Sequence, residues 1–268
     1  MIRPQKRRFS VSDSLVITLI TVSLIIATSS ICLVFFSDLK DDLVFFITYL
    51  VGMGGAVLLT YLAYKKLFSQ PLWNFKLLQT RAIIALFPLV LVFQFGVTTP
   101  LISLIPISAS TEMQLLKTFS NPSIFTFLSI VVLAPILEEL LFRGIILRGL
   151  LARMSAPKAI GLSSFLFGFV HLNPWQFVSA FFMGLLLGWL FERQKSVANC
   201  VLVHFVANCA GYITYVFNNS EQASLFISDQ YVRKSFQFLP LSLIIAASLF
   251  YLLFRLTTKG SQTPTLVN

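Results

Sequence analysis

Charge is what this chain has least of. Only 11% of its 268 residues are Asp, Glu, Lys or Arg, against 57% that are hydrophobic. A soluble domain carries about 25% charged residues, so a free-standing soluble fold is excluded. No polar stretch is long enough to make a second, soluble domain. Cysteine is sparse too: Cys32, Cys200 and Cys209 are odd in number and lack metal-type spacing, which argues against a disulfide scaffold or a zinc finger. They read as small apolar fillers. Histidine is scarcer still. The two present, His171 and His204, both lie in apolar segments, where a polar group needs a partner or water.

Long apolar runs fill the rest. A bilayer core about 30 Å thick needs roughly 20 apolar residues per helix. Runs of that kind fall near 14–36, 43–64, 82–106, 124–150, 158–172, 175–191, 197–217 and 237–256. The fold class is therefore an all-α membrane protein, a polytopic bundle of about eight transmembrane helices in one domain, 1–268. Pro88, Pro100 and Pro106 are expected to kink or end the third run. Asn173-Pro174 sets a tight turn between the short fifth and sixth. Residues 111–119 read as a short interfacial segment. The first run exceeds the apolar core of a signal peptide and lacks a clear cleavage motif, so it reads as a retained helix. The final Thr-Leu-Val-Asn is no prenylation signal.

The net charge of +10 invites a nucleic-acid partner. Its distribution argues otherwise, because the basic residues sit in short clusters between apolar runs with no long surface to track phosphates. Those clusters fit membrane lipids as the partner and the positive-inside rule. They place both termini in the cytoplasm if the number of spans is even, eight here or six if the short pair 158–191 is re-entrant. The absence of long soluble loops suggests a bacterial inner (plasma) membrane setting.

Three polar groups remain at membrane depth. Glu139 and Arg143 are four residues apart and share a helix face, while Glu138 sits at least a quarter-turn away. Arg143 is thus expected to hold Glu139, leaving Glu138 to face a cavity as general base or acid. A structural ion-pair cluster is the plainer explanation of these residues alone. Phe167 and His171 also share a face, as do His204 and Asn208. His171, at the end of its run, suits a capping role equally well. His204 lies mid-run, and with Asn208 one turn on the two can reach a common ligand. Together the groups supply a carboxylate, an imidazole and amide donors for an oxyanion. No serine or cysteine stands in a recognisable nucleophile setting, which points to an activated water.

Glu138-Glu139-x-x-x-Arg143, Phe167-x-x-x-His171 and His204-x-x-x-Asn208 occur in that order. In this the chain resembles the CPBP membrane proteins, which include the type II CAAX prenyl endopeptidases and the Abi proteins. The resemblance covers about 124–210, within a family-like core at 124–217. It implies eight helices around a conical cavity open to the cytosol, and an intramembrane endopeptidase that acts on a membrane-embedded or lipidated peptide. It implies Glu138 and His171 as the water-activating pair, His204 and Asn208 as oxyanion donors, and Glu139, Arg143 and Phe167 as support. The favoured reading uses no cofactor. The alternative is zinc held by Glu138, His171 and His204, a set with three protein ligands but no His-Glu-x-x-His. Two other functions compete: a non-proteolytic scaffold or bacteriocin-immunity-type protein, and a proton-coupled transporter. The transporter lacks the paired broken helices and repeated halves it would need.

Overall fold

In hydrocarbon every backbone N–H and C=O must find a partner inside the protein, and a helix supplies that partner within its own segment. The computed structural model describes residues 9–68, 72–78, 80–106, 113, 123–217 and 229–259. Among them the elements are helical throughout. We number the long helices α1 (Val11–Phe35), α2 (Asp41–Leu67), α3 (Thr80–Ile102), α4 (Ile124–Leu151), α5 (Ala156–Phe169), α6 (Pro174–Gln194), α7 (Val197–Phe217) and α8 (Asp229–Lys259).

Seven of these, all but α5, are long and apolar enough to cross a membrane. The chain is a multi-pass integral membrane protein. The run expected to cross over 158–172 does form a helix, but its 14 residues rise only about 21 Å, short of the hydrocarbon core. The interfacial segment expected at 111–119 lies, apart from Met113, outside the described residues.

The N-terminal helix shows how polar residues are absorbed. Ser10 and Asp13 form a reciprocal capping box, which satisfies two otherwise orphan donors. The Tyr64 hydroxyl at the end of α2 donates to the same Asp13 at 3.0 Å, so the box also pins α2 to α1.

Four wide π-turns interrupt the helices: Thr48–Met53 in α2, Val92–Thr98 in α3, and Leu128–Leu133 and Phe142–Leu147 in α4. Such turns disturb the regular ladder and often mark functional segments. Side-chain donors, from the same helix or from a neighbour, reach carbonyls in or close to three of them. Thr98 donates to the carbonyl of Phe93, and Thr99 to that of Gln94, at 2.8 Å each. Trp73 Nε1 reaches the Leu140 carbonyl at 3.2 Å, and Asn208 Nδ2 the Ile130 carbonyl at 2.8 Å. In α3 the wide turn falls between Pro88 and Pro100, each lacking an N–H to donate. The helix continues to Ile102 instead of stopping at a proline.

The α5–α6 hairpin is packed through small residues. Ala180, Gly184 and Gly188 recur every four positions on α6, the spacing that lets membrane helices approach closely. A Cβ on Gly184 would lie 3.0 Å from the Ser164 backbone Cα, and one on Gly188 would lie 2.9 Å from Ile160. Between the helices, Leu172 takes a left-handed conformation (φ 52°), and the Asn173 side chain caps α6 by accepting from Trp175 N at 2.9 Å. Gly184→Val must therefore push α5 and α6 apart. Overpacking of this kind costs about 1–3 kcal/mol, to be read as a lowered melting temperature in detergent.

A strap at 72–78 crosses from α2 toward α3 and is tied to the start of α7. Ser196 Oγ donates to the Lys76 carbonyl at 2.6 Å, Val197 N to that of Asn74 at 2.8 Å, and Leu78 N to Asn199 Oδ1 at 2.9 Å. Trp73 stacks on Tyr61, with ring centroids 4.8 Å apart. Asn199→Ala leaves the Leu78 N–H without its partner, a loss of about 1–3 kcal/mol. Limited proteolysis should then cut within 72–78 faster than in the wild type.

Candidate active site

Glu138 and Glu139 occupy the regular segment Ala134–Leu141 of α4, between its two wide turns. Both are buried, at 3% and 0% exposure, and so are Arg143 at 1% and His204 at 5%. Four ionisable groups at such depth must neutralise one another.

Arg143 Nη1 lies 2.9 Å from Glu139 Oε1, and His204 Nδ1 lies 2.9 Å from the same oxygen. One carboxylate oxygen of α4 thus joins α7 to the arginine one turn along its own helix. The other guanidinium nitrogen, Nη2, donates to the Gly184 carbonyl of α6 at 3.3 Å. The guanidinium also sits over the Phe167 ring of α5, 4.6 Å from its centroid, a contact worth more when desolvated. Arg143 therefore ties α4, α5 and α6 together. Glu139 Oε2 and Arg143 Nε find no partner among the described residues, so the pair depends on these few bonds.

Glu138 is held separately. Its Oε1 accepts from the Tyr49 hydroxyl of α2, and its Oε2 faces His204 Nε2 at 3.7 Å. That gap exceeds a direct hydrogen bond but allows one bridging oxygen to reach both groups. With Nδ1 donating to Glu139, the tautomer of His204 is fixed by its carboxylate partner, a familiar way of orienting an imidazole.

His171 ends up at the turn between α5 and α6, half-buried, beside the left-handed Leu172. Its Nδ1 lies 2.9 Å from the Phe167 carbonyl. A carbonyl only accepts, so Nδ1 carries the proton and Nε2 presents a lone pair. The ring edges of both histidines meet Phe167, with centroids 5.5 Å away for His171 and 5.8 Å for His204. Phe167 is thus a wall shared by His171, His204 and Arg143. Asn208 is directed elsewhere: one amide N–H goes to the Ile130 carbonyl in the first wide turn of α4.

The structure therefore gathers Glu138, Glu139, Arg143, His204 and Phe167, with His171 joined across the Phe167 ring. Among the described residues no three His, Cys, Asp or Glu side chains are arranged to hold a metal ion. Glu138, His171 and His204 do not converge as a zinc set in this arrangement. Tyr49 was missed by sequence reasoning. It lies 89 residues from Glu138 in an ordinary aromatic stretch, with nothing local to set it apart.

Beside the site, an apolar groove of about 420 Å³ opens between α4 and α7. Val132, Ile136 and Leu140 line one wall, and Val201, Leu202 and Phe205 the other.

These features define a class: a multi-pass helical membrane protein with a buried centre of glutamates, histidine and arginine. Within that class, residues 120–210 match the family of type II CAAX prenyl endopeptidase Rce1-like proteins. The matched segment contains all three motifs, so the resemblance read from them is borne out over that segment. No curated protein and no solved structure matches the chain.

Proposed function

We propose that the protein is an intramembrane endopeptidase of the CAAX-protease type, cutting a membrane-embedded or lipidated peptide with an activated water. The observation that supports this best is Glu138, a buried carboxylate held apart from the Glu139–Arg143 pair and facing a histidine across a gap one oxygen can bridge. Glu138 takes the proton of the water and later delivers it to the leaving amine, the ordinary duty of a general base and acid. The lone pair on His171 Nε2 gives the water a second acceptor. The oxyanion that forms on the scissile carbonyl is met by His204 and by the second amide hydrogen of Asn208. To meet the oxyanion through Nε2 while Nδ1 stays on Glu139, His204 acts as an imidazolium in this step, with the Glu139 carboxylate and the oxyanion as its two anionic partners.

The groove between α4 and α7 gives the apolar part of such a substrate a membrane-facing surface, and membrane lipids are the protein's other partner. We place the opening of the site on the cytoplasmic side, where the basic loops belong, and both termini there too, with the short α5 and its turn making the eighth crossing beside the seven long helices. The test is cleavage of a farnesylated Cys-a-a-X peptide with a quenched fluorophore by purified protein in liposomes. Wild type should cleave it, and His171→Ala should lower the rate with normal membrane expression. Cleavage at the wild-type rate by Glu138→Ala would sink the reading.

A further inference from the structure

We infer that α2, which lies outside the family-matched segment, completes the site through Tyr49, a positioning residue for the base Glu138. This rests on the proposed hydrolysis. The carboxylate torsion of a glutamate is broad, so helix geometry alone does not fix the plane of the Glu138 carboxylate. The Tyr49 hydroxyl fixes it: its hydrogen bond engages one oxygen, Oε1, and turns the other, Oε2, toward His204 Nε2 at 3.7 Å.

The phenol is itself held from several sides. Tyr49 lies in the wide turn Thr48–Met53, which packs against the stretch of α4 that carries Glu138. Phe45, one turn earlier, meets its ring with centroids 5.6 Å apart. α1 also presses closely on the same turn, where a Cβ on Gly52 would lie 3.1 Å from the Ile25 Cα. The wide turn shifts the register of α2, and α1 keeps the helix from retreating. Among the described residues the acceptor this hydroxyl serves is the base itself. Phenylalanine would fill the same space, so packing alone does not explain the tyrosine.

A hydrogen bond to a charged group, once lost, is worth roughly 10- to 100-fold in rate where the reaction depends on it. Tyr49→Phe should lower kcat on the farnesylated peptide by that factor, with KM within about twofold. Tyr61→Phe, on the same helix but stacked on Trp73, should leave kcat unchanged. A second readout needs no substrate. The infrared carboxyl band that disappears in Glu138→Gln should shift in Tyr49→Phe and stay in place in Tyr61→Phe. Should Tyr49→Phe fail to fold, 3-fluorotyrosine at position 49 keeps the shape, alters the donor and must shift the same band. An unmoved Glu138 band overturns the inference, and so does an unchanged kcat in Tyr49→Phe. If wild type leaves the peptide uncut while the band shifts, the proposed reaction fails and the Tyr49–Glu138 link stands.

Discussion

Glu138→Gln is expected to abolish most of the activity while leaving the folded protein intact. The amide keeps the size of the carboxylate and still offers an oxygen to the Tyr49 hydroxyl, so the packing between α2 and α4 survives. What it loses is the ability to take a proton from water. General base catalysis contributes roughly 10²- to 10⁴-fold, and the rate should fall by that much with an unchanged melting temperature. Glu139→Gln should behave differently. Its Oε1 is the shared acceptor for Arg143 and His204, so both stability and activity should drop together.

The largest effect on stability is expected from Arg143→Ala. A surface ion pair contributes about 0–1 kcal/mol, and its loss would hardly be noticed. This pair is 1% and 0% exposed. Removing one partner of a buried pair costs about 3–5 kcal/mol, because the other charge is left without compensation. Arg143→Ala also deletes the contact with Phe167 and the bond to the Gly184 carbonyl, so α5 and α6 lose their tether to α4. Thermal melting in detergent should show a large downward shift, partly recovered in Glu139→Gln/Arg143→Met, where neither charge remains. A surface-like shift for the single variant would mean that the pair is hydrated and the site open.

Much of this was legible in the sequence, for reasons that can be stated. The expected run at 14–36 became Val11–Phe35 and that at 175–191 became Pro174–Gln194, because bilayer thickness and helix rise fix the length of an apolar run. The Glu139–Arg143 pair followed from four-residue spacing on one helix, a local property. Distant pairings were not legible. His204 bonding to Glu139 spans 65 residues, and Tyr49 reaching Glu138 spans 89. Spacing along the chain carries no information about which helices become neighbours.

The wide turns were equally silent, and they changed the details. Sharing a helix face suggested that His204 and Asn208 reach one ligand. A carbonyl at the first wide turn of α4 takes one of the Asn208 amide hydrogens and leaves it one for such a ligand. The prolines of α3 were expected to kink or end the helix; it runs through Pro88 and Pro100 with a wide turn between them and ends at Ile102, before Pro106. The hairpin helix α5 runs over Ala156–Phe169, starting two residues before the expected 158–172 and just as short, and the left-handed Leu172 follows its end. Hydropathy registers the shortness but not the left-handed turn.

The most direct test of the central claim is mass spectrometry of protein termini in membranes from cells that express wild type or Glu138→Gln at equal levels. Hydrolysis by a Glu138-activated water predicts a set of new termini on membrane-embedded or lipidated proteins with wild type, and their loss with Glu138→Gln. Identical termini from the two, with the variant restoring full function to cells that lack the protein, would contradict it and leave the buried cluster a binding site.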